Sequence, residues 1–96
     1  MKILFCGKTF PRACEMLQVL LPNEDIRNCS DDQVIELGVH VDVIIPLMHK
    51  LEGALIGSTS AKLIHQWGVG LEGVDLATAT ARGILVCNVP GDATAN

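Results

Sequence analysis

Residues 68–75 read GVGLEGVD. Gly68, Gly70 and Gly73 fall at the G-x-G-x-x-G spacing of loops that cradle a dinucleotide pyrophosphate. Such a loop carries meaning only where it joins a strand to a helix, so its surroundings decide both fold and chemistry. Upstream, Lys62 to Trp67 (KLIHQW) reads as a strand. Downstream, Asp75 is placed to cap a brief helix, Arg82 sits near that helix's negative end, and Gly83 is free to turn left-handed. The context is therefore strand, loop, helix. Two features disagree with a pyrophosphate site. The helix from Leu76 to Arg82 is only about two turns long. The next strand ends in Asn88-Val89, with no acid roughly 20 residues on to hold an adenosine ribose. Gly73 also precedes the cap, where it cannot mediate helix–strand packing. What small residues at a strand's end do offer is open backbone N–H groups, and one small carboxylate needs only two of them. Val69, Gly70 and Leu71 are the candidate donors. The competing reading is a tight turn that uses its glycines for geometry alone.

Working outward, the same alternation repeats. Lys2 to Cys6 (KILFC) is a buried strand ended by Gly7. Pro11 suits a first helical turn, with Ala13, Leu17, Val19, Leu20 and Leu21 as the apolar face and Pro22-Asn23 as the stop. A short strand near Asp25 to Cys29 leads to a capping box, Ser30-Asp31-Asp32-Gln33, and a helix with Val34, Ile35 and Leu37 inside. Val41 to Leu47 (VDVIIPL) is a third strand ended by Pro46. A short helix from Glu52 to Ser58 follows, then the strand at 62–67, the Asp75 helix, and a fifth strand, Ile84 to Val89 (ILVCNV). Near-continuous apolar strands alternating with helices predict a parallel sheet covered on both faces. The expected architecture is a flavodoxin-like, Rossmann-like, doubly wound five-stranded sheet of three layers in the order 2-1-3-4-5. Its ligand crevice should open at the carboxyl ends of strands 1 and 3. The loops at 7–10, 47–50 and 69–73 would line it.

Size and charge narrow the function. Ninety-six residues, 49 % of them apolar, make a single domain spanning 1–96 with one modest core. The net charge is −4 and the seven Lys and Arg are scattered. That argues against a nucleic-acid or anionic-membrane surface, which needs clustered positive charge. Apolar runs are too short to cross a bilayer. No export signal is read at the start, so a cytoplasmic protein with reduced thiols at Cys6, Cys14, Cys29 and Cys87 is expected. No cysteine or histidine spacing suits a metal. Asn28-Cys29-Ser30 fits a glycosylation acceptor, which without an export signal is read as chance.

The stretch from Gly68 to Gly91, GVGLEGVDLATATARGILVCNVPG, resembles the end of the substrate-binding domain of D-isomer-specific 2-hydroxyacid dehydrogenases, the phosphoglycerate dehydrogenase and glyoxylate reductase type. The family pattern is roughly G-V-G-x-x-x-V-D, an Ala/Thr-rich helix, R-G-I-x-V and N-V-P-G. The match lies at Gly68, Val69, Gly70, Val74, Asp75, Ala79, Arg82, Gly83, Ile84, Val86, Asn88, Val89, Pro90 and Gly91. Departures occur at Leu71-Glu72-Gly73 and at Asp92-Ala93. The resemblance implies an oxidoreductase interconverting 2-hydroxy and 2-keto acids, with amides at Val69 and Gly70 on the substrate carboxylate. It also implies that NAD or NADP, and the catalytic Arg, Glu and His, belong to a cofactor domain beyond residue 96. No catalytic, cofactor-binding or metal residue is then expected in this chain. The parent would be a homodimer. This portion, lacking a returning C-terminal helix, would expose apolar surface and tend to self-associate.

Among the histidines, His40 precedes a strand and His65 lies within one. His49, in the crevice loop after strand 3, is the one that could touch substrate. Lys8 and Lys50 are either solvated charges or steering charges for an anion. Two rival readings come from other classes. Cys6 to Arg12 spells C-x5-R, the phosphate loop of cysteine phosphatases, in which a thiolate attacks phosphorus and Arg holds the oxygens. Pro11 and Ala13 do not suit that cradle, and a buried Cys ending a strand is the plain alternative. A non-catalytic small-ligand-binding domain of the same fold is the other rival. A phosphoacceptor receiver is excluded, because Pro46-Leu47 stands where its Asp would be.

Overall fold

A computed structural model describes residues 1–67 and 70–89. Along the chain it places β1 (Lys2–Cys6), α1 (Pro11–Leu20), β2 (Asp25–Cys29), a 3-10 turn (Asp31–Gln33), α2 (Val34–Gly38), β3 (Val43–Ile45), α3 (Gly53–Ser58), β4 (Leu63–His65), α4 (Leu76–Ala81) and β5 (Leu85–Cys87). The strands form one parallel sheet in the order β2-β1-β3-β4-β5, the order the alternation predicts. β1 is central to the register: Leu4 lies opposite Arg27 on one side and Ile44 on the other.

Side chains alternate across the sheet and so divide the core in two. Ile3, Phe5 and Ile45 face α1, where Cys14 and Leu17 meet them. Leu4, Cys6, Ile44 and Ile64 face the opposite layer, where Val34 of α2, Leu55 and Ile56 of α3 and Ala79 of α4 complete a larger cluster. Three layers result, with unequal covers. One helix protects the first face and three protect the second. Over β3 and β4 the first face remains a groove of about 600 Å³, walled by Ile3, Leu17, Val43, Leu63, Trp67 and Val89.

Three expectations need correction. The strands β3 to β5 are each three residues long, shorter than their apolar runs. Val41 is nevertheless buried, and the Asp42 amide still donates to the Lys2 carbonyl at 2.8 Å. Pro46 ends β3 because it has no N–H to offer. On α1, Val19 and Leu20 point outward, 77 % and 69 % exposed. Helical geometry puts Cys14 and Leu17, three residues apart, on the sheet side and turns Val19 away. Ile35 is likewise exposed, while Val34 beside it is fully buried. The 30–33 box opens the 3-10 turn ahead of α2, with the Gln33 side chain accepting from the Ser30 amide at 3.2 Å.

The C-terminal ends of α2, α3 and α4 are chained together. Buried Thr59, the C-cap of α3, donates its hydroxyl to the Gly38 carbonyl at the end of α2 and accepts from the Ala61 amide at 3.1 Å. Arg82, the C-cap of α4, donates Nη1 to the carbonyls of Ile56 and Thr59 at 2.8 and 2.7 Å. The cation placed by sequence at the end of its own helix thus serves the orphan carbonyls of its neighbour. Gly83 then takes a φ of +72°, the left-handed turn expected after α4.

Thr59→Val keeps the shape of the side chain but strands one buried carbonyl and one buried amide. Each unmade partner costs about 1 to 3 kcal/mol. Urea denaturation should therefore show a loss of at least about 2 kcal/mol, with Thr59→Ser recovering most of it.

Candidate functional site

In a doubly wound parallel sheet, ligands sit outside the carboxyl ends of the strands. Here the exits of β1, β3 and β4 converge on a cavity of about 280 Å³ lined by Phe10, Leu47, Met48, Gln66, Trp67 and Gly70. From the three expected loops it takes Phe10, Leu47 with Met48, and Gly70. Gln66 and Trp67 were not foreseen, because KLIHQW reads as strand to its end. The signal available was a polar residue followed by the chain's one Trp at the end of an apolar run. The Trp67 ring stands edge-on to buried Phe5, centroids 5.5 Å apart and planes at 86°. This fixes the wall beside β4.

The loop from 70 to 75 is sewn to the segment after β3. Leu51 donates its amide to the Gly73 carbonyl at 2.7 Å, and its carbonyl accepts from the Asp75 amide at 3.3 Å, in a parallel bridge between Leu51 and Val74. Within the loop the Val74 amide reaches the Leu71 carbonyl at 3.0 Å. Asp75 then caps α4 as expected, its carboxylate accepting from the Thr78 amide at 3.1 Å and the Thr78 hydroxyl at 2.8 Å. Those two bonds hold its pKa below the ordinary carboxylate value.

The candidate binding residues fare differently. Gly70 is exposed and lines the cavity. Leu71 is half-buried. Val69 lies outside the described residues, as do Gly68, Pro90 and Gly91. A side chain on Gly70 would collide with the Glu72 carboxylate, which folds back over Gly70. His49 does not join the cavity at Gly70. Its Nδ1 lies 3.2 Å from an Asp31 carboxylate oxygen, and it lines a separate hollow of about 300 Å³ with Asp32, Lys50, Glu52 and Leu55. The chain divides at this point: Leu47 and Met48 face one hollow, His49 and Lys50 the other.

The sequence of the chain matches the profile of the D-isomer specific 2-hydroxyacid dehydrogenase catalytic domain over residues 3–96. The chain belongs to this family. No protein of curated function matches it in sequence. Among solved structures, the chain is similar to the NAD-dependent formate dehydrogenase of Staphylococcus aureus in complex with NAD, at 23 % identity and a TM-score of 0.80, covering 95 % of this chain and 32 % of that one. It is similar to the pyruvate reductase of Chlamydomonas reinhardtii, at 18 % and 0.73, over 94 % of this chain and 29 % of that one. It is similar too to the apo D-lactate dehydrogenase of Escherichia coli, at 16 % and 0.70, over 95 % and 31 %. At these identities the likeness establishes the shared fold. The chain spans about a third of the length of those solved chains.

The C-x5-R reading meets an obstacle in the same geometry. Cys6 is 2 % exposed and lies in register with Cys29 on β2, which is also buried. The contact with Cys29, together with burial, pushes the Cys6 thiol far above its ordinary pKa, the opposite of an activated nucleophile. Arg12 is exposed on α1. Among the described residues no group of three or more His, Cys, Asp or Glu could hold a metal ion. No helix among them is long and apolar enough to cross a membrane.

Of the four cysteines, Cys87 is exposed while Cys6, Cys14 and Cys29 are buried. A brief pulse of an alkylating reagent under native conditions should therefore label Cys87 first, and the other three should react only on unfolding. Mass spectrometry of peptides checks this, and early labelling of Cys6 would support the phosphatase reading instead.

Proposed function

We propose that this chain is the substrate-binding portion of an oxidoreductase that interconverts 2-hydroxy acids and 2-keto acids. The coenzyme, NAD or NADP, and the groups that transfer the proton would be carried on polypeptide outside residues 1–96. The observation that carries the reading is the cavity where the exits of β1, β3 and β4 meet Gly70, at the rim where a sheet of this kind takes its ligand. NAD in the staphylococcal relative supports the nicotinamide as the redox partner. When bound, that coenzyme accepts or donates the hydride at C2 of the acid.

This chain's own residues would do the anchoring. The amides of Val69, Gly70 and Leu71 supply neutral donors for the acid's carboxylate. Phe10, Leu47, Met48 and Trp67 line the cavity beside Gly70 with apolar surface, which strengthens a hydrogen bond made there by thinning the water around it. Glu72 acts as an internal competitor, because its carboxylate folds over Gly70 and an incoming acid must displace it. His49 serves at the neighbouring hollow, holding Asp31 on the crevice rim, and would meet only a substrate long enough to pass Met48. The apolar groove over β3 and β4 is the surface through which this portion would self-associate, and the whole protein would form a homodimer in the cytoplasm.

The test is an amide-resolved NMR titration with glycolate. Shifts at Gly70 and Leu71, absent with ethylene glycol and accompanied by no NAD-linked turnover, are the expected result. Shifts confined to other loops would overturn the anchoring role. Replacing Glu72 by Gln removes the competing charge. Because an exposed charge pair is worth up to about 1 kcal/mol, glycolate should bind that variant several-fold more tightly.

A further inference from the structure

Two costly features meet on one wall of the cavity. Leu47, the residue after Pro46, has a φ of +54°, a conformation that branched and bulky side chains rarely adopt. Across from it, Gln66 follows β4. Its backbone amide continues the sheet by donating to the Cys87 carbonyl at 2.8 Å, and its side-chain Nε2 donates to the Leu47 carbonyl at 2.7 Å. That bond fixes which end of the amide faces which way. The other end, Oε1, is buried and has no hydrogen-bond partner among the described residues. Gln66 as a whole is 9 % exposed.

A buried acceptor with nothing to accept is unfavourable, and folded proteins keep few of them. Strained backbone likewise persists where something over-determines it, and such sites gather where ligands bind. Here the strained carbonyl aims the amide, and the bare oxygen belongs to a residue that lines the ligand cavity. Among the described residues no charged side chain lines it, so an occupant that reached the buried Oε1 would do so with a neutral O–H or N–H.

We infer that Gln66 reads the substrate's third carbon, selecting acids that carry a hydroxyl there. This rests on the proposed anchoring of the carboxylate at Gly70. With the carboxylate held by the loop and C2 turned toward a coenzyme outside this chain, the tail of the acid faces the wall formed by Gln66, Leu47 and Met48. Oε1 then accepts from the C3 hydroxyl, and the Nε2 bond to Leu47 keeps it in place. An acid ending in a methyl group leaves the oxygen bare. A site built to bond a hydroxyl discriminates strongly against the analogue that lacks it.

D-glycerate and D-lactate differ at C3 by that hydroxyl alone. Titrated into the chain and followed by NMR, D-glycerate should bind at least about tenfold more tightly than D-lactate. The Gln66 side-chain carbonyl resonance should move with glycerate and stay with lactate. Within the Gln66→Met variant, glycerate should bind no more tightly than lactate. Gln66→Glu, which loses the Nε2 donor that aims the acceptor at Leu47, should weaken the preference for glycerate. The wild-type comparison stands whether or not either variant folds. Equal binding of the two acids, with Gly70 and Leu71 amides shifting for both, overturns the role of Gln66 and leaves the anchor intact. The same holds if Gln66→Met keeps the preference. Absence of Gly70 and Leu71 shifts with either acid overturns the anchor and this inference together.

Discussion

Leu51 is where the structure is joined. Its amide donates to Gly73 and its carbonyl accepts from Asp75, so one residue of the segment after β3 receives two residues of the loop after β4. Its side chain is 1 % exposed, so the joint is anchored in the larger core cluster. A short parallel bridge of this kind does what a longer strand pair would do, holding two loops at fixed separation. Without it, Gly70 would not stand opposite Leu47 and Met48, and the exits of β3 and β4 would enclose no cavity. The amide of Asp75 is committed by the same joint, which sets the carboxylate where it can cap α4.

The site and the core make opposite use of polar groups. Behind the sheet the polar contacts that join the helix ends are closed. Thr59 both donates and accepts, and Arg82 serves two carbonyls at once. At the crevice the polar groups are left open or in competition: Gln66 Oε1 has no partner among the described residues, and Glu72 lies across a backbone that could bind another acid. Closed networks hold a single structure, whereas an unpaired buried acceptor is costly. Leu47 belongs with the second kind, its backbone held in an unfavourable region at the point where β3 ends.

The sheet was legible because its signals are local and agree with one another. KILFC, ended by Gly7, and VDVIIPL, broken by Pro46, announce buried strands, and the right-handed crossover fixes their order once β1 is placed centrally. Asp75 and Gly83 mark α4 by residue type alone. Which way apolar residues face was less legible. Val19, Leu20 and Ile35 are apolar yet exposed, because a helix lying on one sheet buries a narrow stripe and sequence does not say which. The site was half legible. The loop at 70–75 is visible in its glycines. The separation of His49 from Gly70 depends on the direction the chain takes after Leu47, and that follows from a single left-handed residue. Gln66 is marked by no pattern, since its importance comes from what its amide lacks in three dimensions.

The chaining of α2, α3 and α4 through Thr59 and Arg82 has an electrical meaning. Helices in this architecture run against the strands, so their carbonyl ends gather on the rim where the strands begin. A hydroxyl and a guanidinium absorb lone pairs from those ends. The repulsive pole of three backbone dipoles is thereby retired to the side of the molecule farthest from any arriving acid. The arginine on α4's boundary is spent far from the crevice, and among the described residues the hollow at Gly70 is lined by no formal charge.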